Sequence, residues 1–81
     1  MVTPKTHDSE NAYIAAALTA AKENAGMTFD QLAALTEMSS RSAKRYLADE
    51  RVMTVKHIRL FSRALGVDYL KLLVDSEGAA Q

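Results

Sequence analysis

The chain has 81 residues, 48% hydrophobic and 25% charged, with ten basic and ten acidic side chains and so no formal net charge. That length holds one domain with one core, and three Gly and one Pro are too few for a loop-rich or collagen-like chain. The absence of Cys excludes a disulfide staple, a thiolate zinc site and a cysteine nucleophile. The longest apolar run, Tyr13 to Leu18, falls far short of the ~20 residues of a membrane span, so a cytoplasmic location is expected.

Residues 1–8 carry Thr, Pro and Lys without apolar periodicity and read as a flexible arm. Asp8 or Ser9 can cap a first helix from Glu10, along which Tyr13, Ile14, Ala17, Leu18 and Ala21 form one stripe before Gly26 stops it. Thr28, with Gln31 three residues later, is a capping-box signature for a short second helix bearing Phe29, Leu32, Ala33 and Thr36. Ser39 and Ser40 are the next cap candidates, opening a third helix through Arg41, Ala43, Lys44, Arg45, Tyr46 and Leu47. Thr54 caps a fourth helix carrying Val55, Ile58, Phe61, Ala64 and Leu65, which Gly66 ends. Val67 to Val74 gives a final short helix or helical turn, and residues 76–81 read as a disordered tail. The expected fold is all-α, a compact orthogonal bundle of about five short helices, with the domain spanning 9–75.

The zero net charge conceals a division along the chain. Seven basic residues against two acidic ones lie between Ser39 and Arg63, and the remainder holds three basic against eight acidic. A basic block can concentrate potential on one surface, as a polyanion partner requires, although a solvated helix face with ordinary ion pairs accounts for charge alone equally well. The second and third helices are separated by only a few residues, the spacing of a helix-turn-helix whose second helix enters the major groove. That helix begins with short polar side chains and Arg41, and its N-terminal N–H groups attract phosphate. Lys44 and Arg45 follow three and four residues after Arg41 on broadly the same side, while Ala43, Tyr46 and Leu47 can face inward. Arg can donate two bonds to guanine O6 and N7, worth about 1–3 kcal/mol of base discrimination.

From Met27 to Leu73 the chain resembles the Cro/repressor-type helix-turn-helix proteins, also called lambda-repressor-like or XRE-type. The matching elements, in order, are Met27-Thr28, Leu32-Ala33, Ser39 at the head of the third helix, Thr54-Val55, and Ala64-Leu65-Gly66-Val67. The resemblance implies a small Cro-like or repressor-like regulator of phage or bacterial type that binds double-stranded DNA. It implies base contacts from Ser40, Arg41, Lys44 and Arg45, and backbone contacts from Thr28, Gln31, Ser39, Arg51 and Thr54. For Thr28 and Gln31 helix capping is an equally good reading, and both roles can hold; for Arg41 and Arg45 the plain alternative is surface solubility. Departures from the family pattern are Glu37 where relatives carry Gly, Asp49 and Glu50 just past the third helix, Leu35 and Leu60 at polar positions, and Arg59 at an apolar one.

One domain of this size reads a short half-site, so a homodimer on a palindromic operator is expected. Leu60, Tyr69, Leu70 and Leu73 are the candidate contacts between copies, with closure of the monomer core the favoured reading for Leu70. Only His7 and His57 are present, and His57 reads as a surface helix residue; no metal, acid-base or cofactor constellation appears, and neither does a small-molecule site. An enzyme is therefore not expected. A protein-interaction module such as an antirepressor or antitoxin partner, and a DNA-bending recombination accessory factor, are the competing functions.

Overall fold

The computed structural model describes residues 4–79, and the side chains of residues 10–78. Five helices follow one another: α1 (Pro4–Asn24), α2 (Phe29–Thr36), α3 (Ser40–Leu47), α4 (Val55–Leu65) and α5 (Tyr69–Ala79). The all-α class expected from the sequence is the class observed, and the radius of gyration of 12.2 Å matches the roughly 12 Å of a compact chain of this length.

Local signals account for most boundaries. Thr28, Ser39 and Thr54 each have extended backbone and accept a hydrogen bond from the N–H three residues on. Gly26 and Gly66 take the left-handed conformation that ends α1 and α4, with φ of 67° and 71°. Around Gly26 the Met27 N–H reaches back to Lys22 O and the Gly26 N–H to Glu23 O, which satisfies two carbonyls of the last turn.

The ends of the bundle depart from the sequence reading. Helix α1 starts at Pro4, inside the segment read as an arm and ahead of the expected caps at Asp8 and Ser9. Proline suits a first helical position because it has no N–H to leave unpaired and its φ is preset. Helix α5 runs on through Ala79 into the segment read as a tail, and Ser76 there is buried with its hydroxyl bonded to Leu73 O at 2.7 Å. Residues 1–3 and 80–81 of those two segments lie outside the described residues.

A single core joins Ile14, Ala15 and Leu18 of α1, Leu32 and Ala33 of α2, Ala43, Tyr46 and Leu47 of α3, Met53, Ile58 and Phe61, and Leu72 of α5. Its centre is fully enclosed at Leu18, Leu32, Ala43 and Phe61. Helix α1 packs on α3, α4 and α5, while α2 packs on α3 and α4, so α3 is held from two sides. Some inward residues differ from those expected. Ala15 is buried rather than Ala17, Val55 and Tyr13 are exposed, and Ser62 takes an inward position on α4.

Candidate nucleic-acid interface

Helix α3 has one face in the core and one in solvent. Ala43, Tyr46 and Leu47 are buried, whereas Ser39, Arg41, Lys44 and Arg45 are exposed. Three apolar anchors within eight residues fix the helix's rotation about its axis, so the basic side chains face outward as a consequence of packing. Ala43 is the tightest of the three, and a larger side chain there would overpack and displace the helix. The Ser39 hydroxyl accepts from Ser42 N–H at 3.0 Å, capping the helix end that precedes Arg41.

Ser40 behaves differently from its exposed neighbours. It is half-buried, and its hydroxyl donates to Asp30 Oδ1 of α2, tying the two helices together and placing a carboxylate beside the start of α3. Thr28 and Gln31 complete a reciprocal capping box: Gln31 N–H donates to Thr28 Oγ1 at 3.1 Å, and Thr28 N–H donates to Gln31 Oε1 at 2.8 Å. Capping is therefore a role both residues perform, and the Gln31 amide nitrogen stays available to a further acceptor. Arg45 lies 4.0 Å from Glu50 in an exposed pair, worth about 0–1 kcal/mol, which a stronger anion can replace.

Glu37 has φ of 56°, the left-handed geometry expected of the position where the resembled family carries Gly. Asp49 has it too, with φ of 63°, which the sequence reading missed. The segment after α3 is fastened from α1 by Asn11, a buried amide that bonds Asp49 Oδ1, donates to Arg51 O at 3.4 Å and accepts from Met53 N–H at 2.9 Å. The available signal was a polar residue standing in line with Ile14, Ala15 and Leu18 on the buried stripe.

Arg51 is exposed and stacks its guanidinium 5.1 Å from the centre of the Tyr46 ring. Tyr46 also lies 4.5 Å, centre to centre, from His57, and its hydroxyl is 3.3 Å from His57 Nε2. On the other side Nδ1 lies 3.4 Å from the Thr54 backbone nitrogen and 2.9 Å from Thr54 Oγ1. His57 is thus a half-buried bridge between α3 and the cap of α4, not the free surface residue expected, and it links Arg51, Tyr46 and Thr54 into one unit.

The basic block is spread over several elements. Arg41, Lys44, Arg45 and Arg51 belong to α3 and its following loop, while Arg59 lies over Tyr69 at 5.4 Å and Lys56 lines a hollow with Leu35 and Leu60. The four candidate contacts between copies are divided as well. Leu60 shares that hollow with α2, Tyr69 is covered by Arg59, and Leu73 packs on the core. Leu70 is 69% exposed, so the expectation that it closes the core is corrected: Leu72 does so instead.

No family model, curated protein or solved structure matches the chain. Among the described residues, no cluster of three or more His, Cys, Asp or Glu could hold a metal ion. No helix is long and apolar enough to cross a membrane there either.

Proposed function

We propose that the chain is a sequence-specific double-stranded DNA-binding protein that regulates transcription, with α2 and α3 acting as a helix-turn-helix. The observation that carries this reading is the division of α3, with Ala43, Tyr46 and Leu47 anchored in the core and Arg41, Lys44 and Arg45 presented to solvent from a capped helix. The family resemblance supports it independently. On this reading α3 enters the major groove, Arg41 reads a base edge, and Lys44 and Arg45 make later base or phosphate contacts. Thr28, Gln31, Ser39, Arg51 and Thr54 hold the backbone, and two copies occupy a palindrome with half-sites about one turn apart. Ser40, already bonded to Asp30, contributes less to base reading than its position in the sequence implies.

A protein-interaction module is the second reading, favoured by Leu35 at 59% exposure and by the carboxylates of Asp30, Glu37 and Asp49 around α3. Selection from a random duplex pool at low salt separates the two. The proposal expects enrichment of a palindromic sequence, with affinity falling linearly in log–log form as salt rises. A pool that stays random removes the DNA-binding reading.

A further inference from the structure

Leu35 and Leu60, both at positions that are polar in the resembled family, come together in the structure. Leu35 projects from the end of α2 with a hollow on each side of it. Besides Leu35, one, of about 310 Å³, is lined by Thr36, Glu37, Met38, Lys56, His57 and Leu60; the other, of about 450 Å³, is lined by Ala25, Met27 and Ala34 and by Gln31, a proposed backbone contact. No residue of α3 or α5 lines either hollow.

We propose that this face docks a second copy of the chain across a two-fold axis. A two-fold contact uses the same patch on both partners, so the patch must complement itself. In shape, an apolar knob stands beside a hollow of mixed lining, and rotation seats each Leu35 against its apolar part, between the other copy's Met38 and Leu60. The patch complements itself in charge as well. Glu37 and Lys56 line the same hollow without pairing within the chain, since the one ion pair among the described residues is Arg45 with Glu50. Rotation sets each Glu37 against the other copy's Lys56. On α5, Leu70 and Val74 are exposed, and the hollow that Leu73 lines includes neither of them. Of the contacts expected from the sequence, Leu60 therefore belongs to the interface through α2, and the α5 residues lie outside it.

The contact requires no DNA, so its test stands apart from the DNA-binding reading. Sedimentation velocity of the full chain, free of nucleic acid, is expected to show a concentration-dependent dimer. Leu35→Lys should weaken it roughly 30-fold or more, as loss of a central apolar anchor does. Glu37→Lys and Lys56→Glu should each weaken it, and the double swap should restore it, a recovery that general damage to the fold does not produce. Thermal melts of every variant identify any that fail to fold. Leu70→Glu/Val74→Glu should leave the dimer intact. A monomeric wild type, a dimer that survives Leu35→Lys, no recovery in the double swap, or loss of the dimer only in the α5 variant each overturns the proposal.

Discussion

Glu37 follows α2 and Asp49 follows α3, and both hold a left-handed backbone that costs a non-glycine residue about 1–2 kcal/mol. Both also set a carboxylate at a helix C-terminus, where the helix dipole disfavours negative charge. What holds each corner differs. At Glu37 the turn closes through local backbone bonds, Met38 N–H to Ala33 O among them, and the carboxylate has no hydrogen-bond or ion-pair partner among the described residues. At Asp49 the carboxylate is gripped by Asn11, which also fixes the backbone on either side of Val52. The corner before α3 is strained with its own carboxylate unpaired, whereas the corner after it is strained and compensated from a distant helix. The compensated corner is the one that carries Arg51, so α1 sets the position of a proposed phosphate contact it does not itself make.

Removing the compensation should have the largest effect. Asn11→Ala leaves the Met53 N–H and the Arg51 carbonyl without their protein partner and frees Asp49, so it should lower unfolding free energy by about 2–3 kcal/mol, read from urea denaturation. Asp49→Gly relieves the backbone strain but loses a charge-assisted bond, for a net loss of about 1 kcal/mol. Glu37→Gly has only strain and an unfavourable charge to lose, and should raise stability by up to about 1 kcal/mol, measured by thermal melts at concentrations where the protein is monomeric. Equal responses to glycine at the two corners would contradict the distinction drawn between them.

The same contrast explains how much of the structure is legible in the sequence. Caps and stops act over three or four residues, so Thr28, Ser39, Thr54, Gly26 and Gly66 mark their helix ends directly. The inward face of α3 is legible because Ala43, Tyr46 and Leu47 share a helical stripe among polar neighbours. In α5, by contrast, apolar residues at 69, 70, 72, 73 and 74 nearly encircle the helix, and periodicity cannot tell that Leu72 faces in and Leu70 out. Ser62 is hidden from any apolar pattern, and Asn11 acts on residues about forty positions away, a pairing that leaves no local mark. The candidate site was legible where it rests on α3 itself and not where it rests on the Asn11 and His57 links that position the following loop.

The central claim is that α3 reads bases while the loop after it holds the backbone. It is tested most directly by measuring the affinity of wild type, Arg41→Ala and Arg51→Ala for the selected duplex and for random duplex across a salt series. Arg41→Ala should cost about 1–3 kcal/mol on the selected site and little on random DNA, whereas Arg51→Ala should weaken both alike and reduce the salt slope by about one. Equal losses on the two duplexes for both variants, or no loss for either, would contradict it.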